Sequence, residues 1–296
     1  MNIIFMGTPD FAVPSLMELI NSDNEITAVF TQTDKKKGRG QQLLPPPIKK
    51  IACENSITVY QPTSLRNEEV INIIKNLSPD MIIVVAYGKI LPEEILNIPK
   101  FGCINLHASL LPKYRGAGPI QWSVLNGETE TGVTTQYMGA GIDTGDILLT
   151  ENTQIGENET ASELHDRLSL IGSKLLIKTV NLLEKGELKG IPQNSDDATY
   201  APKLTKEMSK IDFLKNATEV HNLIRGLSEW PCATVMYGKK RLKIYKSMIV
   251  KQPFSDKEFV IACGENTFIK FCDVQIEGSK RMTGEEFLRG HKKEGL

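Results

Sequence analysis

The sequence predicts an α/β protein: a Rossmann-like, mostly parallel sheet followed by a small OB-like β-barrel. Three observations carry this reading. Strand-like and helix-like segments alternate through the first 184 residues. The run Met81-Ile82-Ile83-Val84-Val85-Ala86 is apolar throughout, as a strand covered on both faces requires. Beyond a stretch rich in Gly, Pro, Asn, Asp and Ser, the texture changes to short strands at close spacing. The expected division is 1–188 for a first domain, 189–206 for a linker and 207–296 for a second domain.

The elements follow in order. Asn2–Met6 is a short apolar strand, and Phe11–Asn21 a helix with Pro14 in its first turn. Ile26–Gln32 is a strand, 33–47 a long polar loop, Ile48–Asn55 a helix and Ile57–Tyr60 a strand. Val70, Ile71, Ile74 and Leu77 recur at helical spacing in Asn67–Leu77. Asp80–Tyr87 and Gly102–Ser109 are strands around a short helix, Glu93–Asn97. Gly118–Asn126 is a helix, and Thr131–Met138 with Asp146–Ile155 are paired strands. Ala161–Glu184 is the longest helix, with Leu164, Leu168, Ile171, Leu175 and Leu182 on one side. A helix at Thr218–Leu227 precedes strands at Ala233–Tyr237, Arg241–Val250, Glu258–Cys263 and Thr267–Ile276.

Composition narrows the class. With 296 residues, 40% hydrophobic and 24% charged, the chain is ordinary for a soluble globular protein. The net charge of −1 argues against a uniformly basic nucleic-acid binder, but it hides a split. Residues 1–204 carry 18 basic and 24 acidic side chains, whereas 205–296 carry 17 and 12. Such asymmetry points to an electrostatic partner. No apolar run approaches the ~18 residues of a membrane span, and no secretory signal stands out. Five cysteines without a C-x-x-C fit reduced thiols in the cytoplasm, and no metal site is expected. Dinucleotide, P-loop, G-x-S-x-G and H-E-x-x-H patterns are absent, so redox, phosphoryl-transfer and metalloprotease chemistry lose their usual anchors.

Of the four histidines, His165 and His221 lie in helical patterns that suit structural roles, and His291 lies in a polar tail. His107 ends a strand. Asn105 and His107, two apart, point to the same face, which at the C-terminal edge of a parallel sheet opens onto the ligand crevice. A fixed amide donor beside an imidazole suits oxyanion stabilisation in acyl chemistry; satisfying strand-end backbone groups is an equally open role for the pair. The loop Ser109-Leu110-Leu111-Pro112-Lys113-Tyr114-Arg115-Gly116-Ala117-Gly118-Pro119 is stiffened by Pro and freed by Gly. In Gly139-Ala140-Gly141-Ile142-Asp143-Thr144-Gly145-Asp146, Asp143 can orient an imidazole or relay its proton. Cys103, on the face of Asn105 and His107 but deeper, reads as packing.

Taken together, the strand N-x-H, the SLLP-x-YRG-x-GP loop and the G-x-D-T-G-D segment resemble the 10-formyltetrahydrofolate-dependent formyltransferase family. The resemblance implies that Asn105, His107 and Asp143 are catalytic. It also implies that Ser109, Leu110, Leu111 and Pro112 line a tetrahydrofolate site, with 10-formyltetrahydrofolate as cosubstrate and no metal.

Family members differ in acceptor. Met6-Gly7-Thr8-Pro9-Asp10-Phe11-Ala12-Val13-Pro14, Lys36-Lys37-Gly38-Arg39-Gly40 with Leu44-Pro45-Pro46-Pro47, and Tyr200-Ala201-Pro202-Lys203-Leu204 resemble the members that act on methionyl initiator tRNA. Two segments, 35–50 and 230–255, hold six basic residues each and no acid, which suits a phosphate backbone. Lys37, Arg39, Lys239, Lys240 and Arg241 are the expected tRNA contacts, Arg39 by analogy in a loop that wedges against the acceptor stem. The expected activity is formyl transfer to the α-amine of that tRNA, by a monomer, in translation initiation. An amino-sugar nucleotide formyltransferase and a catalytically silent tRNA-binding protein are the rival readings.

Overall fold

The computed structural model describes residues 1–37, 41–252 and 254–291 and divides the chain into two compact units. The first comprises 1–115, 132–152 and 166–200; the second comprises 116–131, 153–165 and 201–296.

In the first unit, seven strands form one sheet: β1 (Asn2–Gly7), β2 (Glu25–Phe30), β3 (Val59–Tyr60), β4 (Met81–Val85), β5 (Cys103–His107), β6 (Glu130–Tyr137) and β7 (Ile147–Gln154). Their spatial order is β7-β6-β5-β4-β1-β2-β3. Pairing from β3 through β5 is parallel, and β6 runs antiparallel to β5. All five residues of β4 are buried, which accounts for the unbroken apolar run. The helices are α1 (Val13–Ile20), α2 (Pro47–Glu54), α3 (Glu68–Asn76), α4 (Glu93–Leu96) and α6 (Ala161–Glu184), the last with its N-terminal turn in the second unit; α5 (Pro119–Leu125) belongs wholly to the second.

The boundaries differ from expectation where backbone chemistry decides them. Residues 10–12 form a 3-10 turn, so α1 begins at Val13, with Pro14 where its missing N–H costs nothing. Asn67 caps α3 by accepting from the Glu69 N–H. The expected polar loop at 33–47 instead contains a short hairpin pairing Lys35–Lys37 with Gln42–Leu44. Alternation is weak there, so sequence pattern alone does not disclose it.

The second unit is a small β domain. Strands β8 (Ala233–Tyr237), β9 (Lys240–Val250), β10 (Val260–Cys263), β11 (Thr267–Ile276) and β12 (Met282–Thr283) pair antiparallel in the order β8-β9-β11-β10, with β12 on β11. Helices α7 (Ala217–Gly226) and α8 (Gly284–Gly290) close the core, where Val220 and Ile224 pack with Leu242, Ile244, Phe271 and Phe287. Each begins with a capping box, Asn216 with Glu219 and Thr283 with Glu286. Helix α8 and β12 were not expected from the sequence. The His291 ring stacks on Phe287 with centroids 4.3 Å apart.

His221 is the structural histidine of this unit, only 4% exposed. Nε2 faces the Glu157 carbonyl at 3.0 Å, and Nδ1 faces the Ser247 hydroxyl at 2.9 Å. A carbonyl only accepts, so Nε2 carries the proton and the serine hydroxyl donates to Nδ1. Burial, helped by the Arg225 charge and opposed by the Glu157 carbonyl, holds this imidazole below its ordinary pKa. The folded state therefore resists a proton that the unfolded chain accepts. Stability is full above the ordinary histidine value of about 6.5 and declines as pH falls from there toward the folded value. Thermal unfolding should show Tm decreasing below about pH 6.5. His221→Gln should flatten that slope while lowering Tm at neutral pH, and an unaltered slope would assign it to other groups.

Candidate functional site

The site lies in the first unit, at the C-terminal end of β5. Parallel pairing sets Asn105 beside Val84, and antiparallel pairing sets it opposite Gln136 and His107 opposite Thr134. The expected shared face is therefore real. It is completed from β6 by Gln136 and from the following loop by Asp143.

Asp143 is the meeting point. Its Oδ1 accepts from Gln136 Nε2 at 3.1 Å and from Asn105 Nδ2 at 3.4 Å. Its Oδ2 stands 3.6 Å from His107 Nδ1, longer than a hydrogen bond. His107 is 6% exposed, and its Nε2 lies 2.9 Å from the Tyr114 carbonyl. Both ring nitrogens thus face oxygen acceptors. The amide hydrogens of Asn105 and the Nδ1 edge of His107 converge on one carboxylate across gaps of 3.4–3.6 Å. Such gaps let a reacting group compete for the same donors.

Both residues that flank the ring sit in the left-handed region, Asp143 at φ 51° and Tyr114 at φ 59°. Each such value costs about 1–3 kcal/mol and persists only where the surroundings enforce it. Gly145 is required here, because a Cβ at that position would run into the Tyr137 carbonyl.

The loop after β5 is held from β6. Thr134, fully buried, donates its hydroxyl to the Ser109 carbonyl at 2.7 Å and accepts from the Leu111 N–H at 3.2 Å. Ser109 is also buried and turns its own hydroxyl to the Lys113 carbonyl at 2.7 Å. Leu110 and Pro112 are half-buried and Leu111 is 6% exposed, so the loop offers a largely apolar wall. Cys103 is packing, as expected: it is 2% exposed, and burial pushes its thiol up to about 12, far from a thiolate nucleophile.

The expected tRNA contacts fall on separate elements. Lys37 ends the first strand of the hairpin in the first unit, and Arg39 lies outside the described residues. Lys239, Lys240 and Arg241 are exposed at the turn between β8 and β9 in the second unit. Other basic residues are engaged within their own units: Lys49 pairs with Asp34 at 2.9 Å and Lys246 with Glu163 at 2.5 Å. Gln136 and Gln193 are absent from the sequence-based expectations, and Tyr114 and Arg115 enter them only as part of the loop pattern. Gln136 left one signal, since Thr134, Thr135 and Gln136 are polar yet lie in a strand buried along most of its length. Among the described residues, no cluster of His, Cys, Asp and Glu could hold a metal, and no helix is long and apolar enough to cross a membrane.

A strand-end Asn and His converge on a loop Asp at the edge of an α/β sheet, donors suited to stabilising an oxyanion, and family comparison gives the class, a transferase. Residues 1–180 match the formyl transferase family and residues 203–292 the formyl transferase C-terminal domain. The chain belongs to the formyl transferase family. It is 48% identical to the methionyl-tRNA formyltransferase of Alkaliphilus oremlandii, over 98% of this chain and 97% of that protein. Identity to the Clostridium novyi methionyl-tRNA formyltransferase is 49% over the same shares. The fold also matches a sugar 3N-formyl transferase, WlaRD, solved in the presence of dTDP and 5-N-formyl-THF, at a TM-score of 0.70 and 22% identity, covering 95% of this chain and 99% of that one.

Thr134→Val keeps the side-chain shape but removes the hydroxyl used by both Ser109 and Leu111. Urea unfolding should register a loss of about 1–3 kcal/mol. A change within experimental error would mean that the loop finds its bonds elsewhere.

Proposed function

We propose that this protein transfers the formyl group of 10-formyltetrahydrofolate to the α-amino group of methionyl initiator tRNA. The observation that carries the chemistry is the convergence of Asn105 and His107 on Asp143 at 3.4 and 3.6 Å. The near-full-length likeness to methionyl-tRNA formyltransferases supports the acceptor. In this reading Asn105, His107 and Asp143 are the catalytic residues, and Ser109, Leu110, Leu111 and Pro112 line the folate. Leu110, Leu111 and Pro112 supply the apolar wall, while Ser109 shapes the loop through Lys113.

The neutral amine attacks the formyl carbon and the carbonyl π pair moves onto oxygen. That oxyanion accepts from Asn105 Nδ2 and from a protonated His107, donors already fixed by the sheet register. Asp143 keeps the imidazole oriented. The oxyanion pair then re-forms the carbonyl as the C–N10 bond breaks; N10 keeps that bonding pair and takes up the proton lost by the amine, passed through Asp143 and water. Formyl-methionyl-tRNA and tetrahydrofolate result, and no other reactant is consumed.

Residues 1–188 carry the chemistry in this proposal, 189–206 link, and 207–296 bind tRNA. Lys37 and Arg39 serve the tRNA from the first segment, and Lys239, Lys240 and Arg241 from the last. The protein acts as a cytoplasmic monomer in translation initiation.

Asn105→Ala and His107→Ala should each lower the rate of formyl transfer about 10²–10³-fold with the fold intact. A soluble His107→Ala protein with near-full turnover refutes the assignment. The acceptor is tested by comparing charged initiator tRNA with elongator methionyl-tRNA and a nucleotide amino sugar; transfer chiefly to the sugar would move the protein to another branch of the family. The basic segments are tested by ionic strength. Six to ten phosphate contacts weaken duplex-DNA binding ~10³–10⁵-fold between 50 and 200 mM salt, and tRNA affinity should fall in the same direction. An affinity that stays flat removes these residues from the interface.

A further inference from the structure

The groups that enforce the two left-handed residues beside His107 come from the stretch 193–199, which composition alone marks as a connector. Gln193 Nε2 shares its two protons among three oxygens, the carbonyls of Asp143 at 2.9 Å and Gly145 at 2.7 Å and Gln136 Oε1 at 3.1 Å. Its Oε1 accepts from Arg115 Nε at 3.1 Å and Nη2 at 2.7 Å. Arg115 is 3% exposed and directly follows Tyr114, whose carbonyl meets His107 Nε2. Thr199 holds the same corner: its hydroxyl accepts from the Tyr114 N–H and its carbonyl from the Arg115 N–H, both at 2.9 Å.

The position demands a group that donates on one side and accepts on the other. A carboxylate would satisfy the guanidinium but repel three oxygens. A cation would satisfy the oxygens but repel the guanidinium. A side-chain amide of this length answers both, and its orientation is fixed, because a flip would oppose like partners on each side.

We propose that Gln193 is a positioning residue for formyl transfer. It sets the Asp143 backbone so that the carboxylate faces His107, and through Arg115 it anchors the Tyr114 carbonyl on the other side of the ring. The inference rests on the catalytic reading above and assigns Gln193 no contact with substrate.

The test compares wild type, Gln193→Ala, the near-isosteric Gln193→Glu, Asp143→Asn and the double variant Gln193→Ala/Asp143→Asn. Each Gln193 variant should lower kcat about 10- to 100-fold, the scale of a small misplacement at a reacting centre, with KM for both substrates within about threefold. Because Gln193 acts through Asp143, the double variant should lose little beyond Asp143→Asn alone. Losses that multiply in full, or a kcat near wild type in both single variants, overturn the proposal. If Gln193→Ala does not fold, Gln193→Glu carries the kinetic test alone. A second measurement is independent of the acceptor. Amide hydrogen exchange across residues 141–146 should quicken in Gln193→Glu, and unchanged exchange there also overturns the proposal. A wild-type protein that moves no formyl group to charged initiator tRNA would instead defeat the proposed function, leaving the exchange measurement to decide on Gln193.

Discussion

The register of β5 between unlike neighbours is the constraint from which the site follows. Parallel bonding to β4 brings the strand end to the edge where crevices open, and antiparallel bonding to β6 brings Gln136 and Thr134 back across it. A slip of one residue would turn Asn105 and His107 to the other face together. The same slip would separate Thr134 from Ser109 and Leu111, so the loop and the polar pair are governed by one set of backbone bonds. Burial fixes that register: Val84 and Leu106 are at most 4% exposed, and Ile104 is wholly enclosed.

On this frame the site spends stability for orientation. Two residues in left-handed backbone, a buried guanidinium and an imidazole between two acceptors are each unfavourable in isolation. They persist because bonds from β6 and from the stretch after α6 overdetermine them. In the proposed reaction, polar groups held at Asp143 by the fold need little reorganisation as charge develops on oxygen.

How much of this could be read from the residues depended on whether the signal was local. β4, β5 and α6 were legible because periodicity and burial act over a few neighbours. Asn105 and His107 emerged from a period of two at a strand end. Asp143 emerged only as part of a glycine-punctuated pattern, since nothing local says which strand end it meets. Gln136 and Gln193 were hidden, because their partners are 7 and 50 residues away along the chain at Asp143 and their roles exist only once the loop has closed. Helix α8 was missed because its seven residues are too few for periodicity, although its Thr283–Glu286 capping box was present in the sequence.

The two compact units are not successive in the chain. Residues 116–131 and 153–165 leave the first unit and return to it, and while away they supply α5, which packs on α7, and the loop whose Glu157 carbonyl meets His221. Modularity is thereby restricted. Recombination at the connector would give a hybrid whose new C-terminal segment inherits α5 and that loop from an unrelated donor. The surfaces of α5 and of residues 153–165 must therefore evolve with the second unit, although they are encoded within the first two hundred residues.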